Sequence, residues 1–218
     1  MSCSQTVQYP CALAAAEYWA LKNEAEWAAH QDEEEGNTRT VLLDKLDADG
    51  TRTTRARVTA KENPIPKALR SLLGAGESFS FTVTESWLSD RWDEASAAIF
   101  QTEPAVCASK IKVGGAHWVE EAGPNECVLC FRLDVDVRVV GIGSKLAKGI
   151  LAGTVASYAA IPERALRYLA ARRDAAVVAG AAPPRPTLSK GGALAGTSKA
   201  LADAVVCLLY TSPSPRDS

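Results

Sequence analysis

From Cys127 to Val139 the chain alternates cleanly: Cys127, Leu129, Phe131, Leu133, Val135, Val137 and Val139 share one face, and Arg132, Asp134, Asp136 and Arg138 share the other. A period of two is a strand with one apolar and one wet side. Gly141-Ile142-Gly143 then turns directly into Gly143–Arg173, which reads as one long helix. Leu146, Ile150, Leu151, Val155 and Ile161 stand among Ala and Gly in its first half, Ser144 is a candidate cap, and Arg164, Arg167, Arg172 and Arg173 gather at its close, where the helix dipole favours cations. At about 1.5 Å per residue it would be roughly 45 Å long, enough to cross a small domain. Pro162 forbids a continuous ideal helix, so a kink or a restart is expected there. A sheet wrapped around this helix is the architecture that follows.

The segments before it are mostly strands. Gln5–Pro10 carries Val7 and Tyr9 on one face, and Ala12–Glu35 is helix-favouring, with Asn23 splitting it into two short helices. The acids Asp32–Glu35 read as a solvated face where the second helix frays. Thr38–Leu46 and Thr51–Ala60 form a hairpin through Asp47-Ala48-Asp49-Gly50, a turn that resembles the start of a calcium loop but lacks its closing Glu. Asn63-Pro64-Ile65-Pro66 is a stiff connector to a short helix, Lys67–Leu73, ended by Gly74-Ala75-Gly76. Further strands are expected at Glu77–Leu88, at Ala95–Thr102 and at Cys107–Val113, the last bent at Gly114-Gly115 before Trp118. Gly123-Pro124-Asn125 is a turn. The class is α+β: an antiparallel sheet of about six or seven strands, two short helices after the first strand, and the long C-terminal helix.

Residues 1–174 read as one domain. Residues 175–206, rich in Ala, Gly, Pro and Ser, read as a disordered tail. The stretch Cys207–Asp217 matches, codon for codon, the translation of a transposase sequencing adapter, so 207–218 is expected to be a library artefact outside the fold.

Over the whole chain the net charge is −2 and no basic stripe is present, which argues against a nucleic-acid partner. No signal peptide is evident, and the longest apolar run, Gly149–Ile161, is too short to span a bilayer. Setting Cys207 aside leaves an odd number of cysteines without framework spacing, which suits a reducing compartment; a cytoplasmic protein is expected.

The order of these elements is similar to the START-like, or helix-grip (SRPBCC), superfamily of hydrophobic-ligand proteins, nearest an uncharacterised bacterial branch of it. The cues are the Pro-flanked segment Ile65–Gly74, the strand ending in Trp87, and the passage from Val135 through Gly141-Ile142-Gly143-Ser144-Lys145 into the helix. Pro162 and the long tail depart from that pattern. The resemblance implies a cavity between a curved sheet and the long helix. It would take a small hydrophobic ligand such as a lipid, sterol or polyketide-like molecule, with transient membrane contact compatible with that role.

Read by strand parity, the inner face is Phe79, Phe81, Val83, Glu85, Trp87, Leu129, Phe131 and Leu133, with Ile150 facing them from the helix; these are the candidate ligand-binding residues. Small residues on the helix leave room for a ligand, or equally allow dry packing. Glu85 is the odd member. Buried without a partner, its pKa should rise and make it an acid or an anchor; the plainer expectation is that a bulge turns it out or that it sits at the rim. His117 is placed near the cavity mouth, more as a packing residue than a catalyst. Cys127 and Cys130 form a CxxC whose thiols fall on opposite faces, so no metal site is expected. No cofactor motif is present. Three functions stay open: a non-catalytic binder or carrier, with the 63–76 segment and the Ser89–Asp93 turn as gates; a cyclase- or hydratase-type enzyme using Glu85 or His117; and a closed-core regulatory interaction module.

Overall fold

The computed structural model describes residues 2–61, 78–106, 108–140 and 143–178. Strand β1 (Ser2–Cys11) is followed by helices α1 (Ala15–Lys22) and α2 (Ala25–Glu34), then by strands β2 (Asn37–Leu46), β3 (Thr51–Ala60), β4 (Ser80–Leu88), β5 (Ala98–Pro104), β6 (Ile111–Gly123) and β7 (Glu126–Val137). Helices α3 (Gly143–Ala159) and α4 (Ile161–Val178) close the described chain. The strands form one seven-stranded antiparallel sheet in the order β1-β7-β6-β5-β4-β3-β2. β1 and β2, consecutive in sequence, lie at opposite edges, so α1 and α2 must cross from one edge to the other. With α3 packed on β7 and β1, this is the helix-grip architecture.

Local chemistry explains most boundaries. Asn23 ends α1, and its backbone N–H bonds to the Ala20 carbonyl. In the β2–β3 turn Gly50 takes φ 85, and the Asp49 carboxylate accepts from the Thr51 N–H at 2.9 Å. The long helix restarts where Pro162 requires it. Pro162 lacks the N–H that would bond back to Tyr158, and it is accommodated in the first turn of α4, where N–H groups have no intrahelical partner.

Several expectations are corrected. Helix α4 runs past Arg173 to Val178, and Ser144 lies inside α3 instead of capping it. Residues 94–96 are a 3₁₀ turn capped by Asp93, which accepts from the Ser96 N–H, so β5 starts only at Ala98. β6 begins at Ile111 and runs unbroken through Gly114-Gly115; its irregularity falls between Glu121 and Gly123. Cys107 and the expected helix Lys67–Leu73 lie outside the described residues.

The acids Asp32–Glu35 are a solvated face only in part: Glu33 and Glu34 are exposed, whereas Asp32 is buried and Glu35 partly so. Glu35 receives the Arg164 guanidinium at 2.7 Å and the Ser157 hydroxyl at 3.1 Å, and Glu34 meets Arg164 at 3.2 Å and Arg167 at 3.1 Å. Asp32, buried, pairs with Arg39, and Arg172 pairs with Glu24. The arginines of α4 thus clamp it onto α2 and the end of α1. Among the described residues no helix is long and apolar enough to cross a membrane.

Candidate functional site

The inner face of the sheet is built in rungs. One runs Ala98, His117, Phe131 and Val7 across β5 to β1, and Arg52 pairs with Trp87 across β3 and β4; the next runs Thr54, Glu85, Phe100, Gly115 and Leu133; a third holds Ala56, Val83, Thr102, Val113 and Val135. Gly115 is required in the middle. A β-carbon there would lie 1.8 Å from the Arg132 carbonyl oxygen and 3.1 Å from the Phe100 ring, so only glycine lets these strands approach and the ring settle.

Helix α1 inserts a cation into this face. Lys22 sits three residues after Trp19 and four after Tyr18, so all three share one helix face. Its ammonium pairs with the Glu85 carboxylate, the two side chains being 2% and 0% exposed, and it lies 4.4 Å from the centre of the Trp87 ring. Asn23 fixes the position. Its amide donates to the Ser89 carbonyl at 3.0 Å and its oxygen accepts from the Trp87 indole at 2.8 Å, while the Trp19 indole donates to the Leu88 carbonyl at 3.0 Å. Burial holds the Lys22 amine below the ordinary lysine range, and Glu85 opposes that shift.

His117 is fully buried beside the pair. Its ring stacks on Phe131 with centroids 4.4 Å apart and 7° between planes, and meets the edge of Tyr18 at 5.8 Å. Burial, and then the charge of Lys22, push its pKa well below the usual histidine value, so it is neutral at ordinary pH. On the far side of Phe131, Tyr158 of α3 packs at 4.4 Å. Burial, and next the Glu85 charge, push the Tyr158 phenol up, so it stays a protonated donor. Both ring nitrogens of His117, the Tyr158 hydroxyl and the Thr102 hydroxyl have no hydrogen-bond partner among the described residues.

The candidate residues read from parity all face the interior and are buried. Trp87, Leu129, Phe131 and Leu133 belong to one apolar cluster, and Phe79, Phe81, Val83 and Ile150 to another. Glu85 is neither bulged out nor at the rim: the β3–β4 register is unbroken, and Lys22 makes its burial tolerable. His117, expected near a mouth, is fully buried. Parity missed Lys22, Tyr18, Phe100, Thr102 and Tyr158; the signal available for Lys22 was its helical spacing from Tyr18 and Trp19. Of the expected gates, Asp90–Asp93 of the Ser89–Asp93 turn borders an open hollow of about 580 Å³ shared with Trp118–Glu121, and 63–76 lies outside the described residues. A second open hollow, about 590 Å³, is lined by Ser4, Gln101, Lys112, Gly114, Asp134 and Asp136.

The model of one protein family, described as "Protein of unknown function (DUF2505)", matches residues 4–169. No curated protein matches by sequence. Among solved structures, norcoclaurine synthase from Thalictrum flavum, in complex with dopamine and hydroxybenzaldehyde, is similar at 14% identity over 78% of this chain and 87% of its own, with a TM-score of 0.49. A START superfamily protein from Mycobacterium smegmatis is similar at 18% identity over 75% of this chain and 94% of its own, with a TM-score of 0.41. The Zhui aromatase/cyclase from Streptomyces sp. R1128 is similar at 12% identity over 65% of this chain and 72% of its own, with a TM-score of 0.43.

Proposed function

The chain belongs to the DUF2505 family, and from that premise we propose that it binds or carries a small, largely apolar ligand between the sheet and α3. The observation that carries this reading is the set of unsatisfied polar atoms inside an aromatic bowl. His117, Tyr158 and Thr102 are all 0% exposed, yet their nitrogens and hydroxyls have no partner among the described residues. Leaving such a group unpaired costs about 1–3 kcal/mol each. A ligand with an apolar body and one or two hydroxyl or carbonyl groups would satisfy them while Phe100, Phe131 and Trp87 enclose the rest. A lipid, sterol or polyketide-like ring system has that chemistry.

The test is native mass spectrometry of the full chain, organic extraction of whatever co-purifies, and titration with fluorescent fatty-acid and sterol probes. A bound apolar molecule is expected, with affinity roughly tenfold weaker in His117→Phe. A clean apo mass with no probe uptake would overturn the reading in favour of a closed-core interaction module.

The buried Lys22–Glu85 pair favours a second reading, an acid–base enzyme of the cyclase or hydratase kind. A shifted amine beside a carboxylate and a neutral imidazole, all out of water, is how proton-transfer groups are commonly arranged. Glu85 or His117 would serve as the acid or base. Loss of turnover in Glu85→Gln with ligand affinity retained would select this reading over simple carriage.

A further inference from the structure

Cys11 and Cys127 are the last matched pair of the β1–β7 register. They are 4% and 1% exposed, belong to the cluster that holds Tyr18 and Phe131, and carry free thiols. Directly opposite residues of an antiparallel pair have α-carbons about 4.5–5.5 Å apart, inside the span of about 4.4–6.8 Å that a disulfide bridges. We propose that Cys11 and Cys127 are a redox modification site, closing to a reversible cross-strand disulfide when a small peroxide oxidises them.

The two sulfurs have different roles. The Cys127 thiol beside it lowers the Cys11 pKa, and that of Cys127 is raised in turn, so Cys11 ionises first. The Cys11 thiolate attacks one oxygen of hydrogen peroxide; the O–O bond breaks, an S–O bond forms, and hydroxide leaves. The Cys127 sulfur then attacks the Cys11 sulfenic acid; the S–S bond forms, the S–O bond breaks, and the departing hydroxide takes up a proton. Both thiols together give up two electrons and two protons, and the peroxide becomes two molecules of water.

Among the described residues the other thiols are poor partners for either sulfur. Cys130 projects from the opposite face of β7, is bonded to Gln8 at 3.6 Å, and is pushed up to about 11 by burial. Cys3 is partly exposed, but it lies at the far end of β1 opposite Val135, and burial raises its thiol pKa. The bond would tie the residues that lead into α1 directly to β7. The inference is independent of any ligand reading.

The experiment treats the folded full chain with hydrogen peroxide, alkylates the remaining thiols in denaturant, and maps the peptides. A Cys11–Cys127 cross-linked peptide is expected to appear first, with the intact mass lowered by two hydrogens and restored by a dithiol reductant. Cys127→Ser should instead leave a sulfenic acid at Cys11 that dimedone traps. Full alkylation of Cys11 and Cys127 under conditions that oxidise Cys3 or Cys130, or a linkage to a different cysteine, would overturn the proposal. The mapping of the unaltered chain decides this even if the variant fails to fold.

Discussion

The Lys22 ammonium rests against the Glu85 carboxylate inside the sheet, although one comes from the last turn of α1 and the other from the middle of β4. An ion pair removed from water is held by its geometry, and taking away one partner strands the other. Lys22→Met or Glu85→Gln alone should therefore cost about 3–5 kcal/mol, measured by urea unfolding. The double variant Lys22→Met/Glu85→Leu should recover most of that loss. Single variants within about 1 kcal/mol of the parent would mean that the pair is not buried.

Histidine burial sets a pH dependence. The unfolded His117 titrates near its ordinary value of 6.5, whereas the folded one is held well below it. Between those two values the unfolded state binds the extra proton, so stability is fully present above the unfolded pKa and falls as pH drops through that window. The slope from this residue approaches about 1.4 kcal/mol per pH unit. Thermal midpoints measured from neutral to mildly acidic pH should fall accordingly, and His117→Phe should flatten the curve. An equally steep curve in that variant would assign the effect elsewhere.

Gly115→Ala should be severe, because its β-carbon would press 1.8 Å from a backbone oxygen that no rotamer change can move. A loss above about 2 kcal/mol is expected. Gly123→Ala is the control, since its nearest neighbour would be a side-chain carbon at 3.8 Å. Equal melting temperatures for the two would contradict the close approach of β5, β6 and β7.

Phe131→Asp and Arg132→Asp test the two faces of β7. Phe131 is 0% exposed and stacked on His117, while the Arg132 side chain is 51% exposed. The first change puts a charge into an apolar cluster and should prevent stable folding; the second should shift stability by less than about 0.5 kcal/mol. Comparable circular-dichroism melts would mean the faces are reversed.

Much of this interior was legible because a strand has only two sides. The alternation around Phe131 and the run Phe81-Thr82-Val83-Thr84-Glu85 place their residues without any tertiary information, and Asn23 and Pro162 mark helix boundaries by their own chemistry. Lys22 was hidden for the opposite reason. A lysine on an Ala-rich helix reads as solvated, and only the fold brings Glu85, 63 positions away, to meet it. The same holds for Glu34 and Glu35, whose arginine partners lie on α4. Local pattern reports faces; it does not report which distant charge will neutralise a buried one.

The placement of β1 and β2 at opposite edges bears on how the molecule is made. Among the described residues β1 pairs with no strand but β7, and Val7 meets Phe131 only after nearly the whole sheet has been synthesised. On the ribosome the first strand must wait unpaired while β2 to β6 emerge, and the β1–β7 seam closes last, across a long loop. Pulse-labelled amide exchange during refolding should then show Val7 and Tyr9 acquiring protection after Phe81 and Val83. Until that seam closes, the nascent chain exposes one edge of β7, and this interval is when it most needs protection from other chains.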